Sequence, residues 1–198
     1  MFFELVNTFA TLGTFLVIAA TAIAAVVQLR HARSSNHIAV LNEMRETMES
    51  SDFQTADYFV QTRLSVKLQD PAFRYQMQTP AARTDEMRSL FEMAKLLGNY
   101  YEGMGIAVKT RLVDKDIVFE MWADIVTQAW DRLAPVTAIQ RRRAGEGLWE
   151  NFENLTVLAQ DWKAAHPKGT YPAGVRRIEV KDQWLEADRE YAASLAPA

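Results

Sequence analysis

The chain has no cysteine. Disulfide cross-links, thiolate nucleophiles and cysteine metal sites are therefore excluded, and a reducing compartment suits it. Histidine is nearly absent too. His31, His37 and His166 do not cluster, and there is no HExxH pair and no paired-acid motif, so no metal centre is expected. No GxSxG elbow or phosphate-cradling GxxxxGK[ST] loop occurs, and Gly103-x-Gly105 lacks the third glycine and the preceding strand of a dinucleotide site. No cofactor is expected. Nor is there a large excess of one charge: 22 Lys and Arg face 25 Asp and Glu, a net −3, which argues against a nucleic-acid binder. Low-complexity segments, internal repeats and convincing strand alternation are missing as well.

What the chain does have is one long uncharged run. Leu5 to Leu29 reads LVNTFATLGTFLVIAATAIAAVVQL, with no ionisable side chain. About 20 apolar residues cross a bilayer as a helix, so the run predicts a transmembrane anchor over residues 1–30. A cleaved signal peptide fits less well: only Glu4 carries charge ahead of the run, which is also too long, although Ala20-Thr21-Ala22 resembles a cleavage site. Arg30, His31 and Arg33 follow directly and no acid appears before Glu43. Positive flanks stay inside, so the N-terminus is expected outside and the body in the cytoplasm. Along the anchor, Ala10, Gly13, Val17, Ala20 and Ala24 form a heptad-like seam of small residues. Such a seam permits self-association or docking beside another membrane protein. The bilayer and that protein are the expected partners, and nucleic acid is not.

The remainder reads as an all-α bundle of about five helices. A juxtamembrane helix over 31–50 carries Ile38, Leu41, Met44 and Met48 at helical spacing. Ser50-Ser51-Asp52 starts a helix bearing Phe53, Ala56, Phe59, Val60 and Leu64, which Asp70-Pro71 ends or kinks. Residues 70–84 look irregular. After Thr84 comes the strongest stripe, from Met87 and Leu90 through Leu97 and Tyr101 to Val108. Gly98, Gly103 and Gly105 inside it cost about 1 kcal/mol each, which close packing or fraying explains. Asp114 caps a helix that Pro135 kinks or restarts; Gly145 and Gly147 make a turn; and a last helix presents Leu148, Trp149, Phe152, Leu155, Leu158 and Trp162. The bundle spans 51–165, and 166–198 is a tail with a short helix within 179–195.

Two side-chain groups stand out in the body. Glu102 lies beside the long stripe, where a carboxylate could be a general base or a ligand-binding charge; the structural alternative, an ion pair with Arg141 or Arg142, is preferred because a buried carboxylate needs a partner. Arg141-Arg142-Arg143 ends a helix, where cations offset the dipole, although such a run also suits an anionic surface or a phosphate.

The segments LRHARSSNH, LLGNYYEGMGIAVKTRLVDKDIVFEMW and AWDRLAPVTAIQRRR together resemble a group of bacterial single-pass membrane proteins whose helical soluble part is a domain of unknown function. Asn99, Glu102, Val113, Asp114, Trp130, Pro135 and Arg141 match its order, over about residues 15–162. The resemblance implies an inner-membrane anchor and a helical cytoplasmic domain, with no assigned activity. The expected function is a membrane-tethered, non-catalytic helical interaction module, acting as a homo-oligomer or as an accessory subunit of a larger membrane complex. The alternatives are a ligand-gated membrane effector of stress or phage defence, and an enzyme with Glu102 as acid or base.

Overall fold

The computed structural model describes the backbone of residues 2–195, and the side chains over that range apart from those of 3–12, 16 and 29–36. It is all-α. The helices are α1 (Phe2–Glu49), α2 (Ser51–Thr62), α3 (Leu64–Lys67), α4 (Pro71–Gln78), α5 (Asp85–Lys109), α6 (Lys115–Ala144), α7 (Glu150–Ala165) and α8 (Leu185–Ser194), with a 3₁₀ turn at Pro80–Ala82. The chain divides into two units, Met1–Pro167 and Lys168–Ala198.

The expected transmembrane anchor is overturned. Among the described residues, no helix is long and apolar enough to cross a membrane. The single-pass inner-membrane placement, with the N-terminus outside and the body cytoplasmic, falls with it. Within the run, side chains are described only for residues 13–15 and 17–28, and these stretches are shorter than the roughly 20 apolar residues that a span needs. Thr21 keeps its hydroxyl satisfied by donating to the Val17 carbonyl at 2.8 Å.

Helices α2, α4, α5 and α6 each start on a local side-chain cap. The Ser50 hydroxyl accepts from Phe53 N, and Thr84 Oγ1 accepts from Met87 N, capping α2 and α5. Asp114 accepts from Asp116 N at 2.8 Å and caps α6. Residues 70–84, expected to be irregular, hold α4 and the 3₁₀ turn instead. Asp70-Pro71 acts as a start as well as a stop: Asp70 accepts from Ala72 N at 2.8 Å, and Pro71 fills the first helical position, where no amide is needed. Phe73 and Met77, one turn apart, are then buried. Pro135 lies inside the continuous helix α6, which neither stops nor restarts there.

Helix α5 is the axis of the bundle, packed on one side by α2 and on the other by α7, which also packs on α6. Leu97, Tyr101 and Met104 of α5, Phe53 and Val60 of α2, Phe152 and Leu155 of α7, and Val118, Val126 and Leu133 of α6 are buried together. Burying each such side chain contributes about 1.5–3 kcal/mol. Tyr101 stacks on Phe152 with ring centroids 4.8 Å apart, and Trp130 meets Phe152 edge-on at 5.0 Å. Among the described residues of α1, those of its C-terminal part join this core. Met44 is buried, and the Tyr100 hydroxyl donates to its carbonyl at 2.9 Å. In the second unit, the Arg177 guanidinium lies over the Tyr171 ring, 4.6 Å from its centroid.

The α5–α6 turn closes by paired backbone bonds, Leu112 N to Ala107 O at 2.9 Å and Arg111 N to Val108 O at 3.1 Å, around Arg111 at φ +59°. This is the Schellman arrangement, which favours glycine at the left-handed position. Arg111 is exposed and gains nothing visible from that conformation. Arg111→Gly is expected to stabilise the chain by about 1 kcal/mol, read as a higher urea midpoint with unchanged slope.

Candidate functional site

The start of α7 is where most of the chemistry-bearing residues of the body meet. Trp149, which precedes the helix, is left-handed (φ +55°), offers no side-chain cap and is 4% exposed. Its indole lies flat on α5. A Cβ at Gly98 would overlap the ring, and a Cβ at Gly105, about two turns further on, would overlap the Asn151 carbonyl. The two glycines are thus the floor of a groove that seats the α6–α7 turn; Gly103 faces open space. The indole N–H donates to Asn99 Oδ1 at 3.0 Å.

Glu102 completes the seat. One carboxylate oxygen accepts from Phe152 N at 2.9 Å and the other from Asn151 Nδ2 at 2.7 Å. Phe152 is the third residue of α7, so Glu102 supplies from another helix the cap that Trp149 cannot, and it places negative charge at the positive end of the helix dipole. Lys109 Nζ donates to Asn151 Oδ1 at 3.0 Å, extending the chain of bonds. The expected pairing of Glu102 with Arg141 or Arg142 does not form. Arg141 instead donates to the Leu148 carbonyl at 2.9 Å and pairs with Glu153 at 2.7 Å. It holds the same turn from the opposite side. Arg142 and Arg143 are exposed.

Residues that carried the family resemblance are therefore largely those that build this junction. Asn99, Glu102 and Arg141 bond to the turn or to the start of α7, and Trp130 packs on Phe152. Val113 is buried beneath the α5–α6 turn and Asp114 caps α6. Pro135 has a different place.

Pro135 lies in a cleft of about 500 Å³ between α2–α3 and α6, with Val60, Leu68 and Ile139 as apolar wall and Gln61, Gln69, Arg74, Asp131 and Arg132 as polar groups. Arg74 is fixed there by donating to the carbonyls of Leu68 at 2.6 Å and Gln69 at 3.0 Å. Behind Gln61 stands Asp57, which accepts its amide and lies within electrostatic reach of Arg132. Burial pushes the Asp57 carboxyl above its ordinary value, more than Gln61 and Arg132 pull it down. Burial also raises the Tyr101 hydroxyl strongly, with help from the Asp57 charge, and that hydroxyl has no hydrogen-bond partner among the described residues. This cleft is invisible to motif reasoning. Its one signal in the sequence is a proline where a helical stripe continues.

On α1, Gly13, Val17, Ala20 and Ala24 are exposed, and a Cβ at Gly13 would meet nothing within 4 Å. Ala10, Arg30, His31 and Arg33 lie outside the residues whose side chains are described. Among the described residues, no group of three or more His, Cys, Asp and Glu is arranged to hold a metal.

Over residues 15–162 the chain matches the family described as a domain of unknown function, DUF4760, and it belongs to that family. The resemblance to an uncharacterised family is thereby supported. No curated protein and no solved structure matches the chain.

Two outcomes follow from the geometry. Glu102→Gln loses an acceptor for one of two donors and should cost about 1–3 kcal/mol in chemical denaturation. Its effect should be non-additive with Asn151→Ala and additive, within about 0.5 kcal/mol, with Arg142→Ala. Asp57 concerns pH. Folding raises its pKa above the ordinary 3.8, so the folded chain holds the proton more tightly. That stabilisation is complete below the unfolded value and is lost as pH rises through the folded one. Asp57→Asn should therefore melt higher than the parent at pH 7, and the difference should shrink toward pH 4.

Proposed function

We propose that the chain is a non-catalytic helical interaction module that assembles with copies of itself through α1. The observation that supports this is the condition of the helix between Gly13 and Gln28. Phe15, Val17, Ile18, Ile23, Val26 and Val27 are between 47% and 67% exposed. At 3.6 residues per turn these positions surround the helix rather than forming one stripe. A helix that is apolar all round belongs in an interior, and apolar surface of this extent marks an interaction site. One partner helix covers only one side, so the reading favours a bundle of three or more copies over a dimer. Nothing in the run opposes like-with-like packing, because residues 5–29 carry no charge. Gly13, Ala20 and Ala24 are small enough to let helix axes approach closely.

Sedimentation velocity of the full chain tests this. The parent should sediment as three or more copies at micromolar concentration. Val17→Asp with Ile23→Asp should give a folded monomer, since each buried unpaired carboxylate costs several kcal/mol. Val66→Asp, on exposed surface of α3, should leave the assembly intact. A monomeric parent, as an accessory subunit purified without its foreign partner would be, overturns the proposal.

A further inference from the structure

The cleft over Pro135 has a chemistry of its own, independent of α1. Proline has no amide hydrogen, so in α6 the carbonyl of Asp131, four residues earlier, loses the donor that a helix would give it. Asp131 and Pro135 both line the cleft. The Asp131 side chain is exposed, and no hydrogen bond or ion pair engages its carboxylate among the described residues. The residues that line the cleft thus bring two acceptors, a carbonyl that proline leaves without its usual helix donor and a carboxylate. Such a pair suits an ammonium group, which brings several N–H donors and a positive charge.

Two guanidinium groups line the same cleft. Arg74 is locked by its two bonds to the end of α3, and it keeps further N–H donors beyond them. Arg132 is half-buried, and its one hydrogen bond among the described residues, to Gln128 Oε1, is long at 3.4 Å. Fixed, weakly engaged guanidinium groups suit a carboxylate. Val60, Leu68, Pro135 and Ile139 make the apolar part of the same lining. The volume, about 500 Å³, falls in the range of small-molecule sites and exceeds what a single amino acid fills.

We infer that this cleft binds a zwitterion of dipeptide size with an apolar body, its ammonium on the Asp131 carboxylate and carbonyl and its carboxylate on Arg132 and Arg74. Isothermal titration calorimetry of the full chain tests it with Leu-Leu as the probe. Leu-Leu should bind saturably with one site per chain. N-acetyl-Leu-Leu, which lacks the ammonium, and Leu-Leu amide, which lacks the carboxylate, should each bind about tenfold more weakly or worse. Arg132→Gln should weaken Leu-Leu by a similar factor. Pro135→Ala returns an amide donor to the Asp131 carbonyl; it should weaken Leu-Leu and leave N-acetyl-Leu-Leu unchanged. The melting temperature of each variant, taken alongside, separates loss of the site from loss of the fold. No binding of Leu-Leu up to about 1 mM, equal binding of either blocked peptide, or unchanged binding to a folded Arg132→Gln chain overturns the inference.

Discussion

The seating of Trp149 on the bare backbone of Gly98 is the contact on which the rest of the bundle depends. It fixes where α6 ends and α7 begins, and it does so at the expense of a left-handed backbone at a bulky residue, a conformation that persists only when its surroundings over-determine it. Those surroundings are the groove floor at Gly98 and Gly105, the Asn99 acceptor for the indole and the Glu102 cap on Phe152. Arg141 closes the turn from outside. With α7 so placed, Phe152 enters the centre of the core between Tyr101 and Trp130.

Glu102, which attracts attention in the sequence, is held in the structure by two donors at the start of α7. A carboxylate on the edge of an apolar stripe is a signature of acid–base chemistry and of helix capping alike. The partner distinguishes them, and here both partners are donors on the first turn of a helix 50 residues away. A positively charged neighbour was the natural expectation because it satisfies a carboxylate most simply. Backbone and amide donors at a helix start do so equally well, and the dipole adds to them.

Periodicity revealed the bundle well. The stripe from Met87 to Val108 is one helix, α5, and its buried members are largely those the spacing selects. Close packing at Gly98 and Gly105 was legible as well, although not what packs there, since the answer lies across the chain at Trp149 and Asn151. Two local signals misled. Asp70-Pro71 predicts the end or kink of the helix before it, and the same pair also begins the short helix α4 in a stretch that reads as irregular. The lack of charge over Leu5–Leu29 predicts a membrane span, and no helix among the described residues is long and apolar enough to be one. The cleft at Pro135 is legible only as a proline inside a helical stripe. Its lining joins residues 60–74 to 131–139, and no spacing along either stretch betrays the other.

The borrowed cap of α7 also bears on the order in which the chain acquires structure. A helix whose first turn lacks a cap of its own nucleates poorly. The carboxylate that supplies the cap is on α5, which leaves the ribosome well before α7 does. During synthesis, α5 can therefore stand as a template before its client appears, and α7 has no fixed beginning until it docks. The boundary between turn and helix at Trp149 belongs to the assembled bundle rather than to the segment that contains it. Release of that one contact would unravel the last core helix from its N-terminal end, so the junction couples local fraying to the cooperativity of the whole body.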